Sequence, residues 1–178
     1  MTGVARGWWR RNAWPLAAVA ALVPVTFGVI GWQEWDDYFS GHPSRAIVAQ
    51  PRTSIDYAGA AWGPVEVVEL APLEGFEAPA GSRTLEVTVP VDPGSEPVTC
   101  LAPTLHEVGG AERQWDERTY DLGEAYDRGT WNSCAGSGTE PFAIVVPFVV
   151  PDDAVGPFAL DVVVDGRLPE FLRLPVGP

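Results

Sequence analysis

Residues Ala13 to Trp32, AWPLAAVAALVPVTFGVIGW, run for about twenty positions without one charged side chain. A helix rises roughly 1.5 Å per residue, so this stretch is long enough to cross the roughly 30 Å hydrocarbon layer of a bilayer. It also divides the chain. The twelve residues before it, MTGVARGWWRRN, form a short basic tail, and everything after it is acidic and patterned like strands.

The charge split sets a direction. All eleven basic residues are arginines, of which Arg6, Arg10 and Arg11 precede the span, and all twenty-four acidic residues follow it from Glu34 onward. The remaining eight arginines against twenty-four carboxylates leave that part at −16. Such a surface repels nucleic acid and anionic lipid heads, so DNA and RNA are excluded as partners. The positive-inside rule keeps residues 1–12 in the cytoplasm and sends the C-terminal body out of it, with 13–32 as a transmembrane helix in the cell membrane. Amphipathic rings prefer the headgroup zone, which makes Trp8, Trp9 and Trp14 on one side, and Trp32, Trp35, Tyr38 and Phe39 on the other, the membrane-interface anchors. The only small-x-small triplets near the span lie inside the apolar run, and GWQEWDDYF beyond it is a poor cleavage site. The segment therefore reads as an uncleaved anchor rather than a signal peptide. Pro24, interior to it, predicts a kink.

Residues 33–52 read as a juxtamembrane stalk, punctuated by Gly41, Pro43, Ser44 and Pro51, with His42 as a solvated linker residue. From Thr53 to the end the period becomes two. The expected strands are Thr53–Tyr57, Trp62–Leu70, Arg83–Val91, Val98–Val108, Arg113–Trp115, Phe142–Val150, Pro157–Val164 and Glu170–Leu174. Leu85, Val87 and Val89 alternate with Glu86, Thr88 and Pro90, as one buried and one exposed face require. Phe142–Val150 is apolar on both faces, which suggests a central strand, although Pro147 removes a ladder donor and demands a bulge or an edge. Asp165-Gly166 suits a tight hairpin between the last two strands. Seven or eight short strands separated by Gly/Pro turns, with no helical period after Trp32, indicate an antiparallel β-sandwich spanning residues 53–178.

Two cysteines, Cys100 and Cys134, in a body placed outside the cytoplasm favour one disulfide; in the cytosol they would more often stay thiols. The polar stretch Asp116–Glu140 interrupts the strand pattern. It reads as a short helical turn or Ω-like loop that Cys134 pins to the strand bearing Cys100.

The body resembles the small immunoglobulin-like extracytoplasmic domains of single-span actinobacterial membrane proteins, a mostly uncharacterised group. The residues that carry the likeness are YAGAAW at Tyr57–Trp62, TLEVTVPV at Thr84–Val91, Cys100 in VTCLAPTLHE, Gly110 to Trp115, Cys134, FAIVVPFVVPDDA at Phe142–Ala154 and LPEFLRL at Leu168–Leu174. It implies an anchored immunoglobulin-like sandwich and brings no catalytic residues with it.

Little in the sequence points to chemistry. No phosphate-binding loop or dinucleotide spacing is present. A metal site needs three or four convergent ligands, and strand neighbours His106 and Glu107 point to opposite faces. Asp116, Glu117, Asp121, Glu124 and Asp127 crowd the long loop without the spacing of a helix-loop-helix calcium site, and Asp152-Asp153 reads as a turn cap. No nucleophile is tied to a base. Among the aromatic candidates, Trp62 reads as core, whereas Tyr120, Tyr126 and Trp131 sit in the glycine-bearing loop, a composition common in binding loops. The expectation is a non-enzymatic interaction or accessory module of the cell envelope, without cofactor or metal. It contacts another envelope protein through residues 116–140, and the alternative is an extracytoplasmic ligand-binding domain for calcium or a cell-wall component.

Overall fold

The computed structural model describes residues 3–71, 76, 78–122, 132–134 and 138–177, with side chains from residue 7 onward. The chain divides into two units, Met1–His42 and Pro43–Pro178.

The first unit is one helix, α1 (Gly3–Gly41), which passes through Pro15 and Pro24 without interruption. It is long and apolar enough to cross a membrane. Its 39 residues exceed the expected 13–32 at both ends. The C-terminal extension covers much of the stretch expected to be a stalk. Tyr38 and Phe39 meet edge to face, Trp35 packs on Phe39 at 4.4 Å, and His42 stacks on Tyr38 at 4.5 Å. His42 Nδ1 donates to the Tyr38 carbonyl at 2.7 Å, satisfying one of the carbonyls a helix end leaves open. His42 is thus exposed but engaged, as a cap rather than a linker residue.

The second unit is a two-sheet β-sandwich with ten strands among the described residues, more than the seven or eight expected. They are β1 (Arg45–Val48), β2 (Ile55–Tyr57), β3 (Ala60–Trp62), β4 (Glu66–Leu70), β5 (Ser82–Asp92), β6 (Thr104–Glu107), β7 (Gln114–Asp116), β8 (Phe142–Pro151), β9 (Phe158–Val162) and β10 (Glu170–Val176). One sheet has the order β1-β10-β9-β6-β7. In the other, β2, β3 and β4 lie along one side of β5 and β8 along the other. All described pairs are antiparallel except β1 with β10.

Four differences from the sequence expectation have physical causes. Residues 45–48, assigned to the stalk, are β1, held parallel to β10 where the Ser44 and Arg45 amides both donate to the Pro169 carbonyl at 3.0 Å. The sandwich therefore begins before Thr53. The expected strand Trp62–Leu70 is two, because three residues, 63–65, stand opposite two in β5. That bulge restores the inward face, so Trp62 and Val67 both reach the core although they are five positions apart. It falls opposite Pro90, whose carbonyl accepts from Gly63 N–H at 2.9 Å and whose missing donor goes unused. The connection between β9 and β10 is no tight hairpin. Val164 turns aside to bridge Cys100, and the Asp165 amide donates to Thr99 at 2.9 Å. The same diversion ends regular β6 pairing at Thr104, short of the expected Val98. Lastly, β8 is an edge strand rather than a central one: among the described residues its only strand partner is β5, in an unbroken register from Ser82↔Pro151 to Val91↔Phe142.

Between the sheets lie Trp62, Leu105, Ile144, Val146, Phe148, Leu160 and Leu172, all without solvent exposure. Each such large side chain contributes roughly 1.5–3 kcal/mol by leaving water. Trp62 Nε1 donates to the Tyr57 carbonyl at 2.9 Å, so its one polar atom is satisfied. Cys100 and Cys134 form a disulfide with a Cα–Cα distance of 4.8 Å, buried against this core.

Candidate functional site

The two sheets end side by side in β7 and β8, and the chain crosses from one to the other there. After Asp116 the Arg118 amide donates to the Pro147 carbonyl at 2.9 Å. The Asp121 and Leu122 amides then turn back onto the Arg118 carbonyl at 3.1 and 3.3 Å. Leu122, 2% exposed, lies against Val145, with Phe76, Leu70 and Ala143 packed around them. This small second core is why β8 is apolar on both faces while lying at an edge. Its outer face is covered by loop residues rather than by another strand.

Trp115 stands at the edge of this corner and is fixed on two sides. Phe158 meets it edge to face at 6.1 Å, and the Arg113 guanidinium lies over its ring at 5.6 Å. Arg113 is itself held by both oxygens of Glu107, at 2.9 and 3.1 Å, and by Asp153 at 2.9 Å. The hydrogen bonds from Arg113 hold the Glu107 carboxyl below the usual carboxylate range, against the opposing effect of its burial. The same contacts, to Glu107 and then Asp153, raise the Arg113 guanidinium. Asp153 is therefore a pairing group, beyond the turn cap expected of it, while the Asp152 amide donates to Gly81 at 2.9 Å.

A groove of about 620 Å³ opens beside Trp115, bounded also by Phe76, Arg118, Asp121, Val149 and Pro151. Arg118 and Asp121 pair at 2.9 Å on its rim, both more than half exposed. Tyr120, between them in sequence, is 85% exposed. A backbone edge borders the same groove. Successive strand residues direct their N–H and C=O to opposite sides. The Pro147 carbonyl faces Arg118 and away from β5, so the N–H and C=O of Val149, two residues on, face the groove side too. That parity explains why Pro147 needs no bulge.

The structure thus leaves Tyr120 exposed on the turn between Arg118 and Leu122, outside the residues that line the groove, whereas Tyr126 and Trp131 lie outside the described residues. Cys100 and Cys134 are joined. Trp8, Trp9, Trp14, Trp32 and Trp35 are all exposed on α1. His106 is half-buried and its Nδ1 is 3.0 Å from Gln114 Nε2. Among the described residues no group of three or more His, Cys, Asp or Glu is placed to hold a metal ion; Glu124 and Asp127 lie outside that set. Sequence reasoning missed Arg118, Phe76 and Val149. The available signal was Pro147, whose edge reading, taken alone, locates the open side of the sheet.

No protein-family model matches the chain, and no curated protein matches it. Among solved structures it is similar to an uncharacterised β-sandwich protein from Clostridium difficile 630, at 11% identity and a TM-score of 0.40, over 75% of this chain and 95% of that one.

Proposed function

We propose that this chain is a membrane-anchored, non-enzymatic interaction module of the cell envelope, which meets a partner protein at the β7–β8 corner. In this reading α1 crosses the cell membrane once with its arginine-bearing end in the cytoplasm, and residues 42–44 tether the extracytoplasmic sandwich. The charge split, the apolar span and the aromatic residues at both of its ends support that direction. The lysine-free composition fits the GC-rich coding of the actinobacterial group the body resembles.

One observation carries the reading. Tyr120 is almost fully solvent-exposed on a turn whose ends are fixed by the Arg118–Pro147 bond and by buried Leu122. A large amphipathic ring held out on a rigid support is the arrangement found at contact hot spots, because little conformational freedom is lost on binding. A calcium reading has less support here, since Asp121 is paired with Arg118 and Asp153 with Arg113.

Replacing Tyr120 with a photocrosslinking residue in native membranes tests the proposal, with Leu101 (67% exposed) and Val68 (57% exposed) as comparison positions. A discrete adduct from Tyr120 alone, identified by mass spectrometry, is the expected result. No adduct, or equal adducts from all three positions, would contradict it.

A further inference from the structure

The groove beside Trp115 is separate from the protein contact proposed at Tyr120, which is not among its lining residues. It is also closed to an added strand. On this side of β8 the Pro147 carbonyl is taken by the Arg118 amide at 2.9 Å and the Pro151 carbonyl by the Ala154 amide at 3.0 Å. The chain's own backbone therefore stands where an extended partner would run. Between these two closed positions the N–H and C=O of Val149 have no described partner and face the groove. What remains is a gap with one backbone donor and one backbone acceptor.

The lining limits what can fill that gap. Phe76, Trp115, Pro79 and Pro151 give it apolar walls, which favour a ligand with an apolar face. A wholly apolar ligand would leave the Val149 N–H and C=O buried without partners, at a cost of roughly 1–3 kcal/mol for each. Among the described residues the charged lining is Arg118 and Asp121, paired at 2.9 Å, so the wall carries no net charge. An anion meets no free cation there, and the excess of carboxylates beyond the span opposes it. A cation meets no free carboxylate in the lining. The volume, about 620 Å³, falls in the range of small-molecule sites. A neutral ring with an apolar face and closely spaced hydroxyls meets all of these conditions. One hydroxyl accepts from the Val149 N–H, its neighbour donates to the Val149 C=O, and others meet the Arg118–Asp121 pair.

We propose that the groove of the β7–β8 corner binds a neutral saccharide, with one or two pyranose rings against the Phe76 and Trp115 walls and adjacent hydroxyls on the Val149 backbone. The apolar walls supply contact area, and Val149 with the Arg118–Asp121 pair fixes the orientation.

The test titrates cellobiose, maltose and N,N′-diacetylchitobiose into the isotope-labelled full-length chain in lipid nanodiscs, read by NMR. Saturable binding of at least one, with a Kd of about 0.1–1 mM, is expected, and the Val149 amide resonance should move along the same curve. Ala80→Trp fills the groove from an exposed turn position and raises Kd about tenfold or more. Arg118→Ala keeps the backbone bond to Pro147 and raises Kd about fivefold. Leu101→Ala, exposed and outside the lining, leaves Kd unchanged. For the sugar that binds, the corresponding tetrasaccharide separates the sources: equal or tighter binding means a glycan chain, and weaker binding a free sugar. Absence of saturable binding of all three disaccharides up to about 20 mM would overturn the proposal. So would binding that Ala80→Trp and Arg118→Ala both leave unchanged, or that leaves the Val149 resonance in place. That resonance, read on the unsubstituted chain, decides the matter even where Ala80→Trp lowers the unfolding temperature. The Tyr120 adduct fails independently. Its absence from a chain that binds saccharide sinks the protein contact alone, and its presence in a chain that binds none of the sugars sinks the saccharide site alone.

Discussion

The Arg118 amide reaches the Pro147 carbonyl at 2.9 Å across the open side of the sandwich, joining the segment just beyond β7, at the edge of one sheet, to the edge strand β8 of the other. A buried strand with a free carbonyl would carry an unsatisfied polar group, and an open edge invites pairing with other chains. The bond answers both at Pro147. By fixing the direction of one residue, it also fixes that of Val149.

Leu122 follows this bond directly and covers the outer face of β8. Leu122→Ala should cost about 2–5 kcal/mol in urea unfolding, the range for truncating a buried leucine. Tyr120→Ala, two residues away, should change stability by less than about 0.5 kcal/mol, because its side chain is in water.

The Cys100–Cys134 bond spans 34 residues. On the chain-entropy estimate a loop of that size is stabilised by about 3–4 kcal/mol. The Cys100→Ser, Cys134→Ser double variant should unfold at correspondingly lower denaturant. Free-thiol counting on the unfolded wild-type chain should return none.

Tyr57 has a buried hydroxyl with no hydrogen-bond partner among the described residues. Its burial, and then the Glu170 carboxylate, raise its pKa, with Arg167 opposing. A raised folded-state value means that the contribution to stability is intact below the unfolded tyrosine pKa of about 10 and is lost as pH rises through the folded one. Tyr57→Phe should therefore be neutral to stabilising by about 1 kcal/mol near neutrality. It should also remove part of the alkaline loss, which thermal unfolding from pH 8 to pH 11 would measure.

Glu107 works in the opposite sense. Arg113 depresses its pKa, so the contribution is present above the unfolded glutamate value of about 4.3 and disappears as pH falls through the folded value. Glu107→Gln should lower the unfolding temperature at pH 7 and flatten its decline below about pH 4.3. An unchanged acid limb would remove the Glu107–Arg113 pair as its cause.

Much of this fold is written in local pattern. Leu85, Val87 and Val89 alternate as a half-buried strand must, and all three are buried. Trp62 reads as core and is. What escaped is what depends on distant residues. β1 offers only Ala46, Ile47 and Val48 between Pro43 and Pro51, too short a run to show a period, and its pairing is supplied by β10 at the other end of the chain. The bulge at 63–65 is visible only against Pro90. β8 looked central because its second apolar face is covered by Leu122 and Phe76, which no strand periodicity reveals. The candidate site was half legible for the same reason. An exposed tyrosine in a polar loop can be read from sequence. The direction of Val149's backbone follows from one hydrogen bond between elements some thirty residues apart.

Residue-resolved amide exchange at Val149 tests the open corner most directly, on the full-length chain in nanodiscs. The flanking Phe148 and Val150 amides face β5 and should be strongly protected, while Val149, with no partner on its side, should exchange far faster. Protection at Val149 equal to that of its neighbours would mean that the corner is already closed, and would contradict both the strand geometry and the binding surface built on it.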